Sequence, residues 1–422
     1  MIYFLSALYF FLIFENVFRF ITYLNFWDEI TLFIVLFFTL TRRRKIQIEK
    51  KKGKIIQLIL LVIIVGIIGN LLHPNIQNHK SVIVKDIISF FKFPILLLCL
   101  LNTMREWPKS KRNKLLEFCN YISKAAIIAE LMFAIIGYLV PLGVYSNDTR
   151  FLKSYRFFFS HETYLVASLV FCISMLILED KKKNIVYVYL ACVLLFLTQR
   201  YKGFAMIAII ILLINVQDNT LKRIIEYNWK SSVKIRLVLP IASIICIILY
   251  SVFISKFRMY LKWGMTSARI ALYTTAVKIA SNYFPIGSGF GTFASYLSGK
   301  YYSNIYYMYG ISRIEGLRVD NYRFISDAFW PGVLGQFGVL GAILYSLIII
   351  KLIKLNYSYI TENNKMLSVT LLWIYAIIAS FMETYFSNTT GVTFALILTL
   401  YIGIDYRDSD KNLIQQRQES NH

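Results

Sequence analysis

Three stretches of the chain combine arginine with aromatic side chains. An arginine guanidinium is planar and donates two parallel charge-assisted hydrogen bonds, which suits it to phosphate. The stretches are 150–162, 198–202 and 255–326. Their candidate anion-binding residues are Arg150, Arg156, Arg200, Arg269, Arg313, Arg318 and Arg323. These residue types indicate an anionic, phosphate-containing ligand.

Groups that can accept a proton lie beside these arginines. His161 and Glu162 follow Arg156 in the first stretch, and Asp327 directly follows the third. A histidine or carboxylate in such a position could take the proton of a sugar hydroxyl. The alternative is structural, because His161-Glu162 and Ser326-Asp327 each precede an apolar run and could cap a helix.

The amino-acid composition predicts the class of protein to which these stretches belong. The chain has 422 residues, of which 57% are hydrophobic and 16% charged, and its mean hydropathy is +0.58. Soluble domains are about 45–50% apolar, so we exclude a cytosolic enzyme and a disordered protein. We predict an all-α polytopic integral membrane protein with about twelve transmembrane helices, in the range of roughly 10–13. The predicted spans lie near 2–20, 29–41, 55–72, 83–104, 125–143, 162–178, 184–198, 203–216, 237–254, 328–350, 366–386 and 389–405.

Clusters of lysine and arginine orient these spans, because they favour the cytoplasmic side. With twelve spans the strongly basic loops all fall on one side, and they lie at 42–54, 109–114, 181–183, 222–236 and 351–365. Both termini are then cytoplasmic. The chain divides into spans 1–9 in 1–254, a large outer loop in 255–326, spans 10–12 in 327–405 and a cytoplasmic tail in 406–422. Since the chain opens on an apolar run, we expect a retained first span rather than a signal peptide.

The arginine stretches then face outward, where basic residues are normally scarce. Snorkelling to lipid headgroups explains part of them, and we assign Lys153 and Lys202 to it. The large loop is also rich in tyrosine at 301–309, and a tyrosine ring with its hydroxyl suits a sugar. A phosphate joined to a glycan and held at the outer leaflet describes a lipid-linked oligosaccharide. The net charge of +23 is attributed to the membrane and this ligand, so we expect no nucleic-acid partner.

A glycine-rich segment, Pro285–Gly291, follows a predicted helix at Ser267–Ala280 in the large loop. It does not follow a strand, so we reject a dinucleotide-binding motif. Two interpretations remain. The segment could be a turn that returns the chain to the membrane, or its backbone N–H groups could form a concavity that binds an anion.

Metal and disulfide chemistry are not indicated by the sequence. The five cysteines are scattered without a CxxC pair, and the four histidines include no HExxH motif. Neither pattern is typical of a zinc site or a disulfide framework. We therefore expect no metal ion and no cofactor.

The order of these motifs resembles the O-antigen and capsular polysaccharide polymerases (Wzy-type) and the O-antigen ligases of the same superfamily. Those proteins have one large outer loop late in the chain, which carries an arginine, a helix and a P-x-G-x-G-x-G stretch. The matching segments here are Arg156–Glu162, Thr198–Arg200, Arg269 with Pro285–Gly291, Ser326–Pro331 and Gln336–Gly338.

The resemblance implies a GT-C-like membrane glycosyltransferase of the bacterial cytoplasmic (inner) membrane. It would transfer a growing glycan from undecaprenyl pyrophosphate onto a lipid-linked repeat unit, with inversion and without a metal. Membrane lipids and the chain-length regulator and flippase of the same pathway would be further partners. The implied catalytic residues are Arg200, Arg269, His161 and Asp327. The implied substrate-binding residues are Arg150, Arg156, Glu162, Arg313, Arg318, Arg323, Gly287, Gly289 and Gly291.

Two alternatives stay open. An O-antigen ligase would carry a His-Asn pair where this chain has Ser326-Asp327. A lipid-linked oligosaccharide flippase would show two similar six-span halves and a charged central cavity, and the halves before and after residue 211 are not alike. We therefore favour the polymerase.

Overall fold

A computed structural model describes residues 2–14, 17, 27–41, 50–105, 108–149, 152–215, 262, 264–360 and 362–400. Of these residues 75% are helical and 2% lie in strands. The prediction of a mostly helical chain is therefore confirmed. Arg150 and the predicted span 237–254 lie outside the described residues.

The described helices fall into a group before residue 216, a group between 268 and 308 that includes two very short helices, and a group after residue 328. In chain order they are α1 (Ile2–Phe14), α2 (Trp27–Thr41), α3 (Lys50–Leu72), α4 (Lys80–Arg105), α5 (Lys109–Leu139), α6 (Glu162–Asp180), α7 (Ile185–Leu197), α8 (Tyr201–Asn215), α9 (Ala268–Asn282), α10 (Tyr296–Lys300), α11 (Ile305–Met308), α12 (Phe329–Tyr357), α13 (Asn363–Ser380) and α14 (Thr389–Leu400). The strands β1 (Tyr145–Thr149) and β2 (Lys153–Tyr155) form an antiparallel hairpin between α5 and α6.

Each predicted span that lies within the described residues falls on one of these helices. Four described helices are long and apolar enough to cross a membrane, and they are Lys51–Leu72, Ser110–Leu139, Glu162–Asp180 and Phe329–Tyr357. The helices α7, α8 and α14 are apolar but shorter. A membrane-embedded protein is compatible with these lengths, whereas the count of twelve spans and the cytoplasmic position of the termini stay predictions.

Helix α6 forms the centre of the bundle. It is apolar around its whole circumference, which is typical of a helix buried on all sides, and Leu165 to Leu178 are buried. It packs against α5, α7 and α13. This packing fixes the first residue of α6, Glu162, relative to the end of α13.

The helices α3 and α5 expose apolar side chains on their outer faces. On α3 these include Leu60 and Leu71, and on α5 they include Met132 and Ile135. Each of these side chains is more than half exposed, at 53%, 73%, 55% and 59%. Large continuous apolar surface of this kind is unfavourable in water and marks contact with a lipid or a protein.

The predicted helix of the large loop is present as α9, which packs against α12. The chain then turns through the glycine-rich segment, which lies where α12 kinks at Gly338 (φ 63°, ψ −166°). The Gly287 φ is +73°, and a Cβ on Gly287 would lie 2.3 Å from the Gly338 nitrogen. Only glycine combines that backbone conformation with so close an approach.

We expect Gly287→Ala to lower the free energy of unfolding by at least about 2 kcal/mol, because backbone strain and overpacking add. Gly310→Ala is the matched control. Its φ is nearly the same at +69°, but a Cβ there meets nothing within 4 Å, so it reports backbone strain alone, at about 1 kcal/mol. Thermal unfolding of both variants in detergent measures the difference. Equal losses of stability would contradict tight packing of the segment on α12.

Candidate functional site: a cluster of three ion pairs

The first ion pair joins the start of α6 to the turn between α7 and α8. Arg200 Nη2 donates to Glu162 Oε2 at 2.6 Å, and the Glu162 side chain is only 3% exposed. The turn is tight, with Gln199 at φ +53°. A Cβ on Gly203 would lie 2.8 Å from the Leu195 carbonyl oxygen. The close turn thus directs Arg200 toward α6.

The second ion pair joins α8 to the residues that follow α13. Lys202 Nζ donates to Glu383 Oε1, and the ammonium lies 5.7 Å from the centroid of the Tyr375 ring. The Lys202 side chain is only 6% exposed. The assignment of Lys202 to snorkelling is therefore wrong, because its charge is held inside the protein by a carboxylate.

The third ion pair joins α9 to the segment before α12. Arg269 Nη2 donates to Asp327 Oδ2 at 2.6 Å. The Tyr273 hydroxyl, one turn later on α9, donates to the Phe381 carbonyl at 2.8 Å. Trp330 Nε1 donates to Ser380 Oγ at 3.0 Å and ties the start of α12 to the end of α13. These bonds place Asp327 beside the residues that follow α13.

The three ion pairs form one cluster, which we call the ionic cluster. Electrostatic interactions link His161 to both partners of the first pair and both partners of the second. Asp327 interacts in turn with Glu383 and His161. The cluster therefore brings together residues at the N-terminal ends of α6, α8, α9 and α12, where helix dipoles favour anions, with Glu383, which follows the C-terminal end of α13. Its cations and carboxylates are equal in number, three of each.

The surroundings alter the pKa of His161, which lies beside the ionic cluster, and of Asp327 within it. Burial lowers the pKa of His161; Glu162 opposes this, and Arg200 and Lys202 reinforce it. Burial raises the pKa of Asp327, and the ion pair with Arg269 opposes that. Desolvation disfavours the charged form in both cases. The neutral form of His161 is thus favoured, and Asp327 is a stronger base than an ordinary aspartate.

Two buried hydroxyls lie beside Glu383. The Tyr375 and Tyr385 side chains interact electrostatically with Glu383, and neither hydroxyl has a hydrogen-bond partner among the described residues. A buried hydroxyl without a partner is costly. Both could donate to a carboxylate or phosphate oxygen that moves toward them.

The structure thus brings together five of the residues predicted from sequence, namely Arg200, Arg269, His161, Glu162 and Asp327. Sequence reasoning missed Lys202 and Glu383 as members of the site. Lys202 stands two residues after Arg200, at the start of α8. Glu383 is an acid at the end of an apolar run, which was the only available signal.

Other predicted arginines make contacts elsewhere. Arg156 Nη2 donates to the Gly143 carbonyl at 3.2 Å, beside the hairpin. Arg318 forms two hydrogen bonds with Asp320, at 3.0 and 2.8 Å. Arg323 forms an ion pair with Glu315 at 3.7 Å. Arg313 is exposed at the end of a short 3-10 helix. Their predicted role in binding substrate stays a prediction.

The amides of the glycine-rich segment are engaged within the protein. The Gly289 amide donates to the Gln336 carbonyl at 2.8 Å. The Gly291 amide donates to Asp86 Oδ2 at 2.8 Å, and the Gly287 amide bonds within its own turn. An anion-binding concavity needs free N–H groups. In this conformation the geometry fits the turn interpretation and not the predicted anion site.

Within the residues described, no group of three or more His, Cys, Asp or Glu side chains is arranged to hold a metal ion. No protein-family model matches the chain, and no curated protein is significantly similar to it.

Proposed function

We propose that this chain is a multi-pass membrane glycosyltransferase that polymerises lipid-linked repeat units. In the proposed reaction a growing glycan on undecaprenyl pyrophosphate is transferred to a lipid-linked repeat unit at the outer face of the bacterial cytoplasmic membrane. The observation that supports this most is the convergence of Arg200, Lys202 and Arg269 with their carboxylates in one cluster.

The chemistry of the leaving group explains why this cluster suits the reaction. When the acceptor hydroxyl attacks the anomeric carbon, the bond to pyrophosphate breaks and its electron pair stays on the phosphate oxygen. Donors already positioned where this charge develops lower the barrier. The guanidinium groups of Arg200 and Arg269 can each bind two phosphate oxygens, and the Lys202 ammonium adds a third positive charge.

The distribution of apolar surface supports placement in a membrane. Four described helices have the length and hydropathy to span it, and the exposed apolar faces of α3 and α5 would contact lipid. The ionic cluster lies at the ends of α6 and α12, which are two of those four helices. A site at this depth would meet the pyrophosphate of a membrane-anchored substrate beside the headgroups.

The proposed function is tested with purified protein in detergent or liposomes and undecaprenyl-pyrophosphate-linked repeat units. We expect a ladder of products that differ by whole repeats, formed without nucleotide sugar and in the presence of EDTA. Arg269→Gln, which removes a cluster cation, serves as the inactive control.

Other outcomes would overturn parts of the proposal. A flippase would give no covalent product. A ligase would give no ladder from repeat units alone and would transfer glycan only to a different acceptor. A strict requirement for added Mg²⁺ or Mn²⁺ would contradict the arginine-based mechanism.

A further inference from the structure

His161 is the N-cap residue of α6, and this position determines which of its ring nitrogens holds a proton. The backbone amide of Thr163 donates to His161 Nδ1 at 3.2 Å, and Thr163 Oγ1 lies 2.8 Å from the same nitrogen. A backbone amide can only donate, so Nδ1 presents its lone pair. In the neutral ring the proton is then on Nε2.

Nε2 faces the ionic cluster. It lies 3.6 Å from Glu162 Oε2, which is the same oxygen that accepts from Arg200. The ring is about half exposed, at 49%, so a substrate can reach it.

Charged groups from four parts of the fold interact with the His161 ring. Glu162 is on α6, Arg200 and Lys202 are at the start of α8, Asp327 precedes α12 and Glu383 follows α13. Burial and the two neighbouring cations disfavour the imidazolium, and the carboxylates oppose them. The net effect is a lowered pKa for His161, which favours the neutral ring.

We propose that His161 is a hydrogen-bond donor to a substrate oxygen through Nε2–H, and that it does not accept the proton of the attacking hydroxyl. This inference rests on the proposed function. The acceptor oxygen forms its bond to the anomeric carbon, and the electron pair of the broken bond leaves with pyrophosphate. The hydroxyl proton goes to a carboxylate of the ionic cluster, which becomes a carboxylic acid. His161 holds its own proton throughout.

Two substitutions distinguish the role of His161 as helix N-cap from its proposed role as hydrogen-bond donor. The side-chain oxygen of His161→Asn can replace Nδ1 as the N-cap acceptor but offers no donor at the position of Nε2. The amide nitrogen of His161→Gln reaches about as far as Nε2 and can donate, although the cap is lost. We expect His161→Asn to unfold at the same temperature as the parent protein and to lose repeat-unit extension by about a hundredfold. We expect His161→Gln to be less stable but to keep activity within about tenfold of the parent protein, with an unchanged pH profile.

Each opposing hypothesis gives a different result. If His161 were the base, both variants would lose activity alike, and the acid limb of the pH profile would change in both. If it were only a cap, His161→Asn would be fully active. Either result overturns the inference.

A spectroscopic test does not depend on catalysis. In protein labelled with ¹⁵N-histidine, we expect the His161 Nδ1 resonance at the shift of an unprotonated ring nitrogen and Nε2 at that of a protonated one, with His161→Asn providing the assignment. The opposite pattern overturns the tautomer. If this pattern is found but no ladder forms with the parent protein, the proposed function fails while the geometry of His161 stands.

Discussion

Arg200→Lys and Arg269→Lys should each reduce repeat-unit extension by about a hundredfold or more, the usual cost of losing a positioned donor to a developing negative charge. Lysine keeps the positive charge and can still pair with Glu162 or Asp327, so we expect the protein to fold. It lacks the planar fork that binds two phosphate oxygens. The measurement is extension by purified variants, normalised to folded protein.

Arg223→Lys is the control for a general effect of replacing arginine, because the sequence predicts a cytoplasmic position for Arg223. We expect it to have full activity. If Arg200→Lys and Arg269→Lys also give polymer of normal length at normal rate, then the two guanidinium groups are structural anchors and the pyrophosphate clamp is wrong.

Asp327→Asn should lower the rate by about a hundredfold to ten-thousandfold, the range for loss of a general base. The amide oxygen of asparagine can still accept the hydrogen bond from Arg269, so the geometry of the third ion pair should survive. Among the carboxylates of the ionic cluster, we assign the role of general base to Asp327. Burial raises its pKa above that of an ordinary aspartate, which makes it a stronger proton acceptor once substrate engages Arg269.

The dependence on pH follows from the sign of that shift. Asp327 accepts a proton only when ionised, so activity should fall as the pH falls through its raised pKa, above the value of about 3.9 for a free aspartate. This acid limb should disappear in Asp327→Asn. Glu383→Gln is the matched control, since it removes one negative charge from the same cluster. A larger loss in Glu383→Gln than in Asp327→Asn would transfer the role of base to Glu383.

The helices that coincide with predicted spans were predictable because each contains an apolar run. The helix predicted at Ser267–Ala280 is also present, as α9. The kink of α12 at Gly338 was not predicted. It depends on the glycine-rich segment packing against it from about fifty residues earlier in the chain, and no local pattern records such a long-range contact.

The sequence drew attention to those members of the ionic cluster whose chemistry is unusual at their position. Arg200 and Arg269 stood out because arginine is scarce in predicted outer loops. Lys202 did not, because a lysine at a helix end is normally a snorkelling residue and only its burial beside Glu383 reveals another role. The tautomer of His161 was likewise beyond sequence, since it depends on one backbone hydrogen bond within its own helix cap.

Arg200, Lys202 and Arg269 each already pair with a carboxylate, so the ionic cluster is not an open cationic pocket. In the proposed reaction an entering pyrophosphate would therefore bind by ion exchange, taking the place of those carboxylates. Little long-range attraction then draws the substrate in, and added salt should slow its capture only weakly. The exchange would also set the order of events in the proposed reaction. Phosphate binds Arg269 first and releases Asp327, and only then is Asp327 free to accept the proton of the attacking hydroxyl.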